Sequence, residues 1–288
     1  MNIVTIHRVL FIIFAFVVFV FNQLNIALTH SSNPYGLPVL LALIAIGTIG
    51  ISHGALDGKI IWESSNDIFR KLRIYSLYLL LSFLGALLWY LYPLVGLSIL
   101  LFISVIHFGN SDLYDPKGMK DITKKTWGFS VTFMPTLFYK SDVADIFMKL
   151  TGYMFSETLM TLIQFITALT IAIFFLNVMN EKITNSKIII LEMVSLVVIA
   201  AYLHPIEWFA IYFCGLHGIR ALINGGFKVF PDILWLMAFT LPVIFAVYMI
   251  LGETGAFIIT DLLVVFPILA SLTIAHMLLR KIIKIING

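Results

Sequence analysis

GLPVLLALIAIGTIGISHGALDGKI, residues 36–60, stays almost wholly apolar as far as Ile51 and then sets down His53, two glycines, Asp57 and Lys59. A bilayer core about 30 Å thick needs about 20 apolar residues in a helix. A helix also satisfies its own backbone polar groups where no water can. The stretch therefore reads as a membrane span that carries ionisable residues at one end. The rest of the chain agrees: of 288 residues, 61% are hydrophobic and 11% charged, with a mean hydropathy of +1.04. A soluble chain carries about 25% charged residues, so the surroundings here are mostly lipid. The basic residues stand singly or in twos and threes beside apolar runs, which is not a nucleic-acid patch. One cysteine, Cys214, excludes an intramolecular disulfide and a cysteine-based zinc site.

Measured against the bilayer, the sequence predicts ten spans, at 7–28, 36–60, 72–92, 93–110, 125–140, 157–179, 187–204, 205–224, 232–251 and 256–279. Residues 1–35 form an N-terminal membrane-helix extension and 36–288 the main membrane domain. The first apolar run is long enough to span and lacks a small-residue cleavage site, so it reads as a helix and not a signal peptide. Residues 141–150 read as an interfacial helix. With the N-terminus inside, 16 of the 18 Lys and Arg residues fall on cytoplasmic segments, leaving Lys140 and Lys149 outside. Basic residues gather on the cytoplasmic side, which places a multi-pass protein in the inner membrane with both termini cytoplasmic.

That topology assigns depth to the histidines. His53, His107, His217 and His276 all fall on the inner side of even-numbered spans, His30 and His204 on the outer side, and His7 ahead of the first span. His204 lies 13 positions from His217, about 20 Å along a helix, and cannot share its site. Ionisable residues inside a membrane are costly and mark function. Imidazole suits iron, copper, zinc and nickel, so four at one depth point to a buried multi-histidine site near the cytoplasmic side. Asp57 shares a helix face with His53 and can orient an imidazole through its second N–H, directly or across to a neighbouring helix. The alternative is that Asp57 and Asp112 are interfacial charges paired with Lys59 and Lys117. Gly54 would let another helix come close. IHFGNSD, with His107, Gly109 and Asp112, and LHGIR, with His217, Gly218 and Arg220, echo the arrangement.

HGALD, IHFGNSD, IYFCGLHGIR and IAHMLL, in this order on successive apolar segments, resemble the Brp/Blh family of bacterial and archaeal membrane-embedded β-carotene 15,15′-dioxygenases, over roughly residues 36–280. The resemblance implies an all-α polytopic fold and iron(II) held by histidines, here His53, His107 and His217. The family's fourth position falls on Ala221, which cannot bind a metal. His276, in IAHMLL, resembles another family histidine and is the candidate fourth ligand. Asp57, Asp112 and Arg220 would support the ligands, and Trp62, Tyr212 and Phe213, nearest the motifs, would contact substrate.

The implied reaction is cleavage of the central double bond of β-carotene by O₂ into two molecules of all-trans-retinal, with retinal passing to a microbial rhodopsin. Two other readings stand beside it. Ala221 favours a non-catalytic family member that binds a carotenoid or retinal. Histidines facing one another across helices also suit a haem-bearing membrane protein. A transporter lacks the broken-helix pairs and the charged pathway that would support it.

Overall fold

The computed structural model describes residues 3–28, 37–114, 118–181, 183–252 and 265–287, and among these every regular element is helical. Helix α1 spans Ile3–Leu28. Leu37–Ala45 forms α2, continued through a π-helical turn, Ile46–Gly50, into α3, Ile51–Glu63. Helix α4 is Ile68–Leu91 and α5 Pro93–Asp112. Tyr92 alone separates them, and Pro93 opens α5 at the position where its missing N–H costs nothing. Asp121–Phe133 is α6, followed by a 3₁₀ turn, Met134–Leu137. Lys140–Thr151 is α7, ended by Gly152 at φ +76°, where only glycine is free of strain. Glu157–Asn180 is α8, capped by the Ser156 side chain, and Ser186–Ala200 is α9. Pro205–Ala210, α10, runs through a second π-helical segment, Ile211–Gly218, into α11, Ile219–Asn224. Val229–Gly252 is α12 and Val265–Asn287 is α13.

Six of these stretches, Ile3–Leu24, Ile68–Leu91, Pro93–Asp112, Glu157–Asn180, Pro205–Asn224 and Phe266–Asn287, are long and apolar enough to cross a bilayer. Four of the ten expected spans fall on less regular helix. The one at 36–60 is interrupted by the first π turn, and the one at 125–140 is 13 residues of α-helix ending in a 3₁₀ turn. The one at 187–204 ends at Ala200, and the one at 232–251 contains Pro242. The last span, expected at 256–279, is described from 265 and continues to Asn287. The interfacial helix expected at 141–150 is α7.

Contacts among neighbours fix where the site can sit. Helix α5 lies between α6 and α13, α13 also packs along α4, α1 along α9, and α3 along α12. The α5–α6 approach is backbone to backbone. A Cβ on Gly109 would stand 2.1 Å from the Lys124 carbonyl oxygen, and one on Gly128 only 1.8 Å from that of Val105. This approach brings Trp127 of α6 against the C-terminal end of α5. Gly54 does not play that part: no described atom lies within 4 Å of where its Cβ would be. Gly50, one turn earlier, takes the close contact, with the Phe213 ring 2.7 Å from its would-be Cβ.

Candidate active site

Three of the four singled-out histidines come together. His107 arrives from the last turns of α5, His217 from the second π segment and His276 from the middle of α13. The Nε2 atoms of His107 and His217 stand 3.2 Å apart, and the His107 and His276 rings meet edge to face at 5.4 Å. The side chain of His53 lies outside the described residues, as does His30. His204 caps α10, its Nδ1 accepting from Ile206 N while the Glu207 carboxylate accepts from His204 N. His7, expected ahead of the first helix, is inside α1, with its Nε2 3.2 Å from the Gly215 carbonyl oxygen.

Each carboxylate orients a histidine, though from a different helix than its neighbour in sequence suggests. The Asp57 carboxylate lies 2.8 Å from His276 Nδ1 and accepts from the Tyr78 hydroxyl at 3.0 Å. Asp112 Oδ1 lies 2.8 Å from His217 Nδ1. Its Oδ2 accepts from the Tyr212 hydroxyl at 2.7 Å and from Trp127 Nε1 at 3.1 Å. The pairing of these aspartates with nearby lysines does not occur where it can be seen: Lys59 bonds Asp232 at 2.7 Å, and Lys117 lies outside the described residues. Arg220 grips Glu192 and donates to the Asp112 main-chain oxygen at 3.1 Å.

These bonds set the tautomers. An indole can only donate, and an ionised carboxylate only accepts, so His217 and His276 give their Nδ1–H to Asp112 and Asp57. Their Nε2 atoms then lie on the far side of each ring from the carboxylate, and that of His217 faces His107 Nε2. This is the disposition a metal-ligating imidazole takes, its outer nitrogen held by a carboxylate. Two imidazoles bound at about 2.1 Å and at right angles on one ion would have nitrogens about 3 Å apart, close to the spacing of the pair. Among the described residues no group of three His, Cys, Asp or Glu side chains is tight enough to hold an ion by itself. The donor chemistry of these imidazoles fits a metal that takes nitrogen ligands.

An apolar cleft of about 120 Å³ reaches His107 of the pair. Its walls are helical stripes that each run towards a histidine. Leu97, Leu100, Leu101 and Ser104 climb α5 to His107, Phe266, Leu269 and Thr273 climb α13 towards His276, and Pro205, Phe209 and Phe213 lead to His217. Steps of three and four residues keep such positions on one helix face. Phe213 lines the cleft and stacks on His217, with centroids 5.6 Å apart. Tyr212 is fully buried behind the site, and its hydroxyl serves Asp112. Trp62 is 47% exposed and packs on Trp235 under Lys71, outside the cleft lining.

Sequence reasoning passed over Glu192, Tyr78, Trp127 and Arg8. Glu192 carried a signal, as a lone acid inside the apolar run IIILEMVSLVV, where an ionisable group marks function. Tyr78 and Trp127 carried none, because an aromatic in a membrane helix is unremarkable until its partner is known.

The family model described as beta-carotene 15,15′-dioxygenase matches residues 44–284. A curated relative, the beta-carotene 15,15′-dioxygenase of uncultured marine bacterium 66A03, is 33% identical over 183 residues. That alignment covers 62% of this chain and 66% of the relative, a little under two thirds of its length. No solved structure matches the chain. With the family model covering most of its length, histidine site and apolar cleft included, the chain belongs to the beta-carotene 15,15′-dioxygenase family.

Proposed function

We propose that this protein is an iron(II)-dependent dioxygenase that cleaves the 15,15′ double bond of β-carotene with O₂, giving two molecules of all-trans-retinal. One observation carries the reading: an apolar cleft lined by His107, whose ring meets the carboxylate-oriented His217 and His276. The family membership and the name of the relative support the substrate and the bond cleaved. His53, His107, His217 and His276 would hold the iron, with His276 in the role that Ala221 cannot fill. Iron(II), when bound, supplies the binding and activation of O₂ that side chains cannot perform. The chain's own part is to orient the imidazoles through Asp57 and Asp112, to align the polyene along the three stripes, and to exclude water. The substrate is a hydrocarbon and enters from the lipid. Retinal leaves by the same medium, to be taken up by a rhodopsin.

Expression in a β-carotene-producing bacterium tests this, reading colour loss and retinal by chromatography. The wild type is expected to bleach the cells and accumulate retinal, and the purified protein to carry iron without a Soret band. His107→Ala, His217→Ala and His276→Ala should each abolish retinal and lower bound iron, with Ala221→His restoring part of both to His276→Ala. Ala221 also favours the reading of a carotenoid-binding family member. Coloured protein that copurifies with carotenoid and yields no retinal would decide for that one.

A further inference from the structure

Helix α1 lies outside the residues matched by the family model, which begin at 44, yet it sends a side chain to the back of the His217–Asp112 pair. Glu192 of α9 is fully buried and is gripped from two sides, by Arg8 of α1 and Arg220 of α11. Each arginine places a second donor on one shared atom, the main-chain oxygen of Asp112. Arg8 Nη2 reaches it at 3.1 Å and Arg220 Nη1 at 3.1 Å. Asp112 is the last residue of α5, so that oxygen has no partner within the helix, and a cation there meets the negative end of the helix dipole. The carboxylate of the same residue holds His217 Nδ1 at 2.8 Å. The guanidinium groups therefore fix one end of Asp112 while the imidazole hangs from the other.

We propose that Arg8 is a positioning residue of the active site. By bridging Glu192 and the Asp112 main-chain oxygen, it sets where the Asp112 carboxylate stands and so how the His217 ring is aimed. The inference rests on His217 being a working histidine of the site. Arg220 alone would neutralise Glu192, so what the second arginine adds is a second bond to the Asp112 oxygen, brought from α1. A staple between α1 and α9 could be apolar, since buried ion pairs give little net stability compared with apolar packing. Only arginine offers a planar fork that serves acceptors on two elements at once. N-terminal to the matched region, this chain has a helix that is part of the site's support.

The test uses the full chain in detergent, free of added metal, with the histidine rings labelled with ¹⁵N. The His217 resonance of the wild type should show the Nδ1–H tautomer hydrogen-bonded to a carboxylate. In Arg8→Met, folded by circular dichroism and gel filtration, that signature should shift or broaden, and affinity for added Fe(II) or Co(II) should fall by about tenfold or more, the scale seen when a ligand's outer partner is lost. Arg8→Lys keeps the charge without the fork and should fall between the two. Leu10→Ala, on the lipid-exposed side of the same helix, should change neither reading. An unaltered His217 signature in folded Arg8→Met overturns the proposal. If that variant does not fold, an unaltered signature in Arg8→Lys overturns it in the same way. A wild type that binds neither metal would sink the iron reading, while the nitrogen spectra would still decide this one.

Discussion

Asp112 bears three hydrogen bonds on its carboxylate and two more on its main-chain oxygen, all from donors of other helices. Replacing it with Asn keeps the shape but puts an amide where acceptors are needed, so one donor is left facing another. Asp112→Asn is expected to fold and to retain metal about 10–100-fold less tightly. Asp112→Ala strands the donors of Tyr212, Trp127 and His217 in a dry interior, and should cost about 3 kcal/mol or more of stability. Metal titration and thermal melting of the detergent-purified variants separate the two effects. That Asp57 and Asp112 support histidines was legible, because a carboxylate one turn beyond a histidine in an apolar run has few other reasons to be there. Which histidine each one serves was not. Side chains four apart share a helix face and those five apart do not, yet in both motifs the carboxylate reaches a facing helix and not its own neighbour. Asp57 follows His53 and bonds His276, and Asp112 follows His107 and bonds His217.

The long helices were readable as elements, because the length of an apolar run is itself the signal, and Pro93 and Ser156 mark two of the starts. The π-helical segments Ile46–Gly50 and Ile211–Gly218 were not readable. Nothing in their composition forces a wider turn; such segments arise from what packs around them and favour functional sites. Here they face each other, and the second carries His217. Glycine roles were only half legible for a related reason, since a glycine shows where a close approach is allowed and not whether one occurs. Gly109→Ala and Gly128→Ala each drive a methyl into a main-chain carbonyl. Either should cost about 3 kcal/mol or more, enough to lower the melting midpoint sharply and reduce the yield of folded protein. Gly54→Ala meets nothing described within 4 Å and should melt like the wild type. A Gly128→Ala protein of unchanged stability would show that α5 and α6 do not cross as closely as their backbones stand here.

At the scale of the whole molecule, the cleft and the histidines can be placed in a membrane only through the topology, and the topology rests on charge. Sixteen of 18 basic residues fall on one side when ten spans are threaded from a cytoplasmic N-terminus. Dropping one early span would scramble that split, although only six helices reach full length and apolarity by themselves. Shorter helices also serve the site: α3 carries Asp57, which bonds His276, and α6 supplies Trp127 to Asp112. In this arrangement Arg280, Lys281 and Lys284 at the end of α13 lie in the cytoplasm, about one to two turns beyond His276. A reporter active only in the cytoplasm, fused after Lys284, should be active, as should one fused ahead of Arg8, while a reporter active only in the periplasm should be silent at both. A periplasmic signal after Lys284 would remove one span from the count, put His276 on the opposite face from His107, and so contradict the ring contact that brings them together.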